Sequence, residues 1–285
     1  MSAGHRVAIV GTGLLGASVG RGLRERGWAG EVVGIGRTPQ TLAAAERVGA
    51  IDRGTSDYAV LAECDVAVVA VPLGAFDAVF AAMAEHDHAG LTITDVGSTK
   101  RSVGVAAREH LPDPHRCVGS HPMAGKAESG PEAADGDLFA GKPCIICAAD
   151  GDHPDAIATV ESLWSALGSS LLRMTPEAHD AAVASTSHLP HAAAVALVAA
   201  ADRLGPEGWR VASTGFAGAT RLASSNPPMR ADIMTANADE LDRALSVFID
   251  EIDAIRVMLQ AGNRAALLEH MQAIKSRRDA WLNHD

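Results

Sequence analysis

The segment Gly11-Thr-Gly13-Leu-Leu-Gly16 constrains the fold of this chain more than any other stretch. It follows the apolar run Val7-Ala-Ile-Val10 and opens a helical pattern over Leu14–Arg26. That strand–turn–helix setting is the one in which G-x-G-x-x-G holds a dinucleotide. The first glycine permits the tight turn and the second lets the backbone approach a pyrophosphate. The third lets helix and strand pack closely, and the helix N-terminus presents free N–H groups to the phosphates. Gly11, Thr12, Gly13, Leu14, Leu15 and Gly16 are therefore expected cofactor contacts.

The same rhythm continues downstream. Val32–Ile35, Val66–Val71 and Leu91–Asp95 have strand character, the third strand being stopped by Pro72. Thr38–Val48, with Thr38 as N-cap, Phe76–Glu85 and Arg101–His110 have helical character between and after them. Cys117–Gly119, Cys144–Ala148 and Ser170–Met174 are further candidate strands, with a helix over Asp155–Leu167. Alternation of this kind predicts an α/β fold with a Rossmann-like, doubly wound parallel sheet. After Met174 the pattern becomes helical: Pro176–Leu204 interrupted at Pro190, then Glu240–Leu259 and Arg264–Trp281. The expected division is a dinucleotide-binding domain over 1–175 and an all-helical C-terminal domain over 176–285.

Composition narrows the partners. The net charge is −11, from 24 basic and 35 acidic residues, which argues against nucleic acid or an anionic membrane surface as principal partner. No uninterrupted apolar run approaches the length of a membrane span, and Arg6 opens directly onto a strand-length run rather than a signal peptide, so a cytoplasmic chain is expected. Cys64, Cys117, Cys144 and Cys147 are too few for a disulfide scaffold. The Cys144-x-x-Cys147 pair lies in a strand-like run and is expected to be core thiols, a metal or redox pair being the alternative.

Cofactor choice is read at the end of the second strand. An acidic residue there accepts from a ribose 2′-hydroxyl. Gly34-Ile-Gly36-Arg37-Thr38 has none, whereas Arg37 and Thr38 suit a 2′-phosphate. NADP is thus expected over NAD, with adenine stacking by Arg37 and acceptance of NAD as the alternative. Val71 and Pro72, at the end of the third strand, complete the expected cofactor set.

Further motifs exceed what a generic dinucleotide-binding sheet needs. Asp95-Val-Gly-Ser98-Thr-Lys100, Ser120-His121-Pro-Met-Ala-Gly125, Ser187-His188-Leu-Pro-His191 and Gly215-Phe…Thr220-Arg221 occur in order along the chain. Together they resemble the signature set of the prephenate/arogenate (cyclohexadienyl) dehydrogenases of tyrosine biosynthesis. The resemblance implies a cyclohexadiene substrate bearing a ring carboxylate, a ring hydroxyl and a side-chain acid. It implies hydride transfer from the carbinol carbon to a nicotinamide, loss of carbon dioxide and aromatisation. It also implies a homodimer built through the helical half.

On that reading His121 is the catalytic base for the hydroxyl proton, for which a neutral imidazole is suited; its alternative is a turn-capping histidine. Ser98 bonds the substrate hydroxyl or His121, or caps the helix that follows. His188 and His191, three residues apart, share a helical face. They are substrate ligands, metal ligands with Asp180, or satisfied core groups; no metal is expected. His179 and Asp180 are expected in a supporting or structural role. Arg221 is the expected clamp for the ring carboxylate, through two parallel hydrogen bonds.

The chain departs from the pattern at three positions. Gly218 and Ala127 stand where an acid is usual, Glu128 being next to the latter, and Met229-Arg230 replaces a common Met-Trp. These changes touch the substrate end, and the charge of Arg230 points toward a fully anionic substrate. Two rival functions are a β-hydroxy-acid dehydrogenase or imine reductase of similar plan, and a non-catalytic NADP-binding sensor. The first is disfavoured because Tyr58 is the only tyrosine and Lys275 the only lysine of the helical half.

Overall fold

In the computed structural model, residues 4–126 and 128–283 are described. The chain runs β1 (His5–Val10), α1 (Leu14–Glu25), β2 (Ala29–Ile35), α2 (Pro39–Arg47), β3 (Arg53–Thr55), β4 (Val66–Val69), α3 (Phe76–Ala84), β5 (Thr92–Asp95) and α4 (Arg101–His110). The five strands form one parallel sheet in the order β3-β2-β1-β4-β5. The order reverses between β1 and β4, and the glycine turn lies at that switch point, where doubly wound sheets bind ligands.

Alternation along the strands builds two cores. On β1, Val7 and Ile9 join a cluster with Ala17 and Leu23 of α1, while Ala8 and Val10 join Phe76, Phe80 and Met83 of α3. On β4, Val66 and Val68 face the first cluster, and Ala67 and Val69 the second. Both faces are covered, which is why these strands are continuously apolar. Each fully buried Phe, Leu or Met contributes roughly 1.5–3 kcal/mol over its exposed state.

The next segment corrects an expectation. β6 (Gly119–Pro122), β7 (Pro143–Cys147) and β8 (Ser170–Met174) form a separate three-stranded sheet, tied to the first by a bridge between Ile93 and Cys117 and by hydrogen bonds of Ser120 to Thr94 and Asp95. β6 is antiparallel to β7, and β7 parallel to β8. A parallel neighbour needs a crossover, usually a helix. α5 (Pro154–Ala166) supplies one between β7 and β8; between β6 and β7 no α-helix intervenes among the described residues. Cys144 and Cys147 both lie on β7, and their odd spacing places them on opposite faces of the sheet. Both are buried free thiols, and burial pushes the Cys147 thiol up to about 12.

Beyond β8 the chain is helical: α6 (Pro176–Val183), a π turn (Ala184–His188), α7 (Leu189–Leu204), α8 (Glu207–Val211), α9 (Thr214–Thr220), a 3-10 turn (Arg221–Ser224) and α10 (Pro227–Ala236). Pro190 does interrupt the first of these, but the irregular turn precedes it. Proline lacks an N–H and its ring clashes with the carbonyl four residues back, so the distortion falls in the turn before it. The hydroxyls of Ser185 and Thr186 both donate to the Ala182 carbonyl there.

Pro176–Leu204 is also long and apolar enough, by length and composition, to cross a membrane. Its inner face nevertheless carries the buried groups His179, Asp180, His188 and His191, which suits the wall of a site. Compactness divides the chain after Asn237, because α6 packs on α4, β7 and β8. The second unit is a helical hairpin of α11 (Ala238–Gln260) and α12 (Arg264–Leu282), on which Val247, Ile252, Val257, Met271 and Ile274 are exposed.

Candidate active site

The glycine turn fits a dinucleotide closely. Gly11 has φ of 95°, and a Cβ there would lie 2.5 Å from the Ala70 carbonyl oxygen. A Cβ on Gly16 would lie 2.0 Å from the Gly11 oxygen, so the helix cannot approach the strand this closely with any other residue. Around Gly13 nothing lies within 4 Å of such a Cβ, which leaves the backbone open to a phosphate. Gly13 is the N-cap of α1 and caps it with no side chain, so the first N–H groups stay available to an anion. Thr12 is buried, Leu14 and Leu15 are half-buried, Val71 is half-buried beyond the end of β4, and Pro72 is exposed. Arg37 and Thr38 are exposed just past β2; Thr38 is the N-cap of α2 by position, without a side-chain hydrogen bond.

A second centre is built where β6, α4, α6 and α7 converge. The Asp180 carboxylate accepts the backbone N–H of Lys100 at 2.8 Å and of Arg101 at 3.0 Å, and thereby caps α4. Ser98 is thus not the cap. It is half-buried, two residues before the N-cap Lys100, and its side chain bonds no described residue. Asp180 also faces Nδ1 of His179 at 2.7 Å, and Nε2 of His179 faces Nδ1 of His121 at 2.8 Å. His179 and Asp180 are fully buried. They extend from His121 as a line, closer to the chemistry than a general structural role implies.

The polarity of that line follows from its end. Burial would raise the Asp180 carboxyl, but the bonds from His179 and from the Lys100 and Arg101 amides outweigh it and hold it below the usual range. An ionised carboxylate only accepts, so His179 donates from Nδ1. With one proton on each ring, His179 Nε2 accepts from His121 Nδ1, and His121 keeps a bare lone pair on Nε2. Burial, reinforced by Lys100, His179 and His188, holds the His121 imidazolium well below its ordinary value. Lys100 is itself buried, ion-paired with Asp95 and donating to the Ser120 carbonyl at 2.6 Å. His121 is therefore a neutral acceptor at physiological pH.

Asn237 sets the second histidine. Its Nδ2 donates to the Asp180 carbonyl at 2.8 Å and lies 3.2 Å from His188 Nδ1, while Arg101 donates to its Oδ1 at 2.9 Å. His188 Nδ1 then accepts and its Nε2 carries the proton. Nothing in the local sequence pattern singles out Asn237; only the pairing of a fully buried amide with two site residues identifies it. His191 is buried, and its Nδ1 has no partner among the described residues. Asp180 bonds His179 and the amides of Lys100 and Arg101, and His188 Nδ1 faces Asn237. The group of potential ligands that does converge, Asp77, Glu109 and His110, lies elsewhere and is largely exposed.

His188 couples the site to stability. Burial, with Arg230, His179 and His191, lowers it from 6.5 to about 4 despite Asp180. A folded value below the unfolded one means the stabilisation is complete above pH 6.5 and is lost as pH falls toward 4. Thermal unfolding is expected to show falling stability across that window, by up to about 1.4 kcal/mol per pH unit for this group. His188→Gln should show a shallower decline.

Arg221 opens the 3-10 turn that packs on α7; it is exposed and engages no described residue. Gly218, on α9, is exposed with open space around it. Ala127 lies outside the described residues.

A dinucleotide turn at the switch point of a parallel sheet, with a neutral buried-backed histidine as proton acceptor, defines a nicotinamide-dependent dehydrogenase. Comparison with known proteins gives the particular family. The family model "Prephenate dehydrogenase, nucleotide-binding domain" matches residues 19–172, and "Prephenate dehydrogenase, dimerization domain" matches 175–273. The chain belongs to the prephenate dehydrogenase family. It is 31% identical to the cyclohexadienyl dehydrogenase of Zymomonas mobilis, over 100% of this chain and 99% of that one. It is also 31% identical to the prephenate dehydrogenase of Bacillus subtilis, over 96% and 75%. The structure of prephenate dehydrogenase from A. aeolicus in complex with hydroxyphenyl propionate and NAD+ superposes with a TM-score of 0.91 at 28% identity, covering 97% of this chain and 98% of that one. Arogenate dehydrogenase from Synechocystis gives 0.86 at 26%, covering 97% and 99%.

Proposed function

We propose that this chain oxidises the ring hydroxyl of a cyclohexadienyl carboxylate with loss of carbon dioxide. The reaction converts prephenate to 4-hydroxyphenylpyruvate or arogenate to tyrosine, a step of tyrosine biosynthesis. The observation that carries the reading is the bare Nε2 of His121 at the end of the Asp180–His179 line. A bound nicotinamide dinucleotide supplies the acceptor for the hydride that leaves the carbinol carbon. His121 takes the hydroxyl proton as the carbonyl forms, and His188 offers its Nε2 proton to a substrate oxygen. Arg221, unengaged by described residues, holds the ring carboxylate until the carbon–carbon bond breaks. Aromatisation provides the driving force, so the protein's work is orientation and one proton transfer. Lys275 does not compete for a catalytic role, since it is exposed and ion-paired with Asp279.

The cofactor is NADP by preference, supported by Arg37 and Thr38 and by the lack of an acid after β2. The test supplies purified protein with prephenate or arogenate and NAD or NADP, and follows reduced nicotinamide in all four combinations. Turnover of neither substrate overturns the reading. The NADP arms are expected to lead by about tenfold or more in kcat/KM, as befits one charge-assisted contact, and Arg37→Asp should reverse the order. Equal efficiency with NAD counts against the phosphate role. The exposed apolar faces of α7 and of the α11–α12 hairpin, with the dimerization-domain match, support a homodimer.

A further inference from the structure

Among the described residues, two buried side-chain nitrogens have no hydrogen-bond partner: Nδ1 of His191 and Nε of Arg230. They belong to different helices, α7 and α10, and lie close enough for the Arg230 charge to act on the His191 ring. Arg230 acts electrostatically on both His188 and His191, and it makes no ion pair with any described residue. A guanidinium with a shielded, unmatched N–H is costly unless an anion completes it. Its own helix offers none. Asp232, two residues on and so about 200° round the helix, faces Gly74 instead. The short helix α9 (Thr214–Thr220) carries no acid, and Gly218 on it is exposed with open space around it.

We propose that Arg230 and His191 form a receptor for the side-chain 2-oxocarboxylate of the substrate, which makes this chain selective for the keto acid over the amino acid. This rests on the dehydrogenase reading above. Arg230 Nε donates to the side-chain carboxylate, and His191 Nδ1 donates to the keto oxygen. Burial and the adjacent guanidinium lower the His191 pKa, so it serves as a neutral partner. An ammonium in place of the keto group brings a second cation beside Arg230, with no acid on α9 or facing it from α10 to offset the repulsion. The ring carboxylate is left to Arg221, so each of the two carboxylates meets its own guanidinium.

The test compares kcat and KM for prephenate and arogenate in the wild type, Arg230→Met and Arg230→Lys, with cofactor affinity and thermal midpoint as folding controls. Wild type should favour prephenate by at least about tenfold in kcat/KM, the worth of one charge-assisted bond. Arg230→Met should collapse that ratio by a similar factor, mainly through the KM for prephenate; Arg230→Lys should restore part of it. Equal losses for both substrates, or a prephenate KM that does not move, overturn the proposal. Binding of 4-hydroxyphenylpyruvate and tyrosine by calorimetry separates this from the catalytic reading. If the wild type turns over neither substrate, tighter keto-acid binding that Arg230→Met erases still supports the receptor. No difference between the two ligands overturns it.

Discussion

His121→Asn is expected to lower kcat by about a thousandfold, close to 4 kcal/mol of transition-state stabilisation, with much smaller changes in KM and cofactor affinity. Asparagine still presents an N–H toward His179, so the buried line behind it is kept. What disappears is a nitrogen with a lone pair basic enough to take the hydroxyl proton. The wild-type profile supports the same assignment from another side. Because His121 is held well below 6.5, kcat should stay level as pH falls from 8 through 6.5, where an ordinary histidine would already be half protonated. Steady-state kinetics at saturating substrate checks both; a variant that keeps kcat within tenfold would remove His121 from the reaction.

Asp180→Asn is expected to cost at least about a hundredfold in kcat, since an orienting carboxylate fixes the tautomer of the ring it holds. The substitution also turns an NH2 group or a single neutral oxygen toward the amides of Lys100 and Arg101. It should destabilise the fold by about 2–3 kcal/mol. For a chain of this size that corresponds to a drop of roughly 3–5 °C in Tm. The two effects are separable. A purely structural role predicts full kcat at temperatures where circular dichroism shows the variant folded. Loss of kcat in the folded variant, with KM little altered, identifies Asp180 as the residue that sets the proton positions on His179 and His121.

Much of the first sheet is legible in the linear chain because strands and helices there carry strong, separate periods. Arg101–His110 and Ser170–Met174 have the limits that their patterns suggest. The direction of β6 is not legible, since four residues carry no mark of which neighbour they will join. The short helices α8, α9 and α10 escape pattern analysis because they are too brief, or too evenly polar, to show a stripe. At the site, His121 and His188 stand out as motif residues. Ser98 attracts attention as a partner of the substrate hydroxyl or His121, with helix capping as the alternative; the capping group is Asp180, 80 positions away from Lys100 in the chain. Such a bond depends on tertiary placement alone. Asn237 is hidden for the same reason, and Arg230 stands out as an unusual charge whose shielded, unmatched Nε only the fold reveals.

The π turn between α6 and α7 has a geometric consequence. At about 100° per residue, the nine steps from His179 to His188 in a regular helix would put their side chains on opposite sides of the cylinder. One extra residue accommodated in a wider turn removes about one step of winding and brings them to within a quarter turn. His179, which bonds His121, and His188, which faces Asn237, thus share one wall only because the coil between them is overfilled. A smoother rod through residues 184–188 would be a better helix and would aim one of the two imidazoles at the solvent.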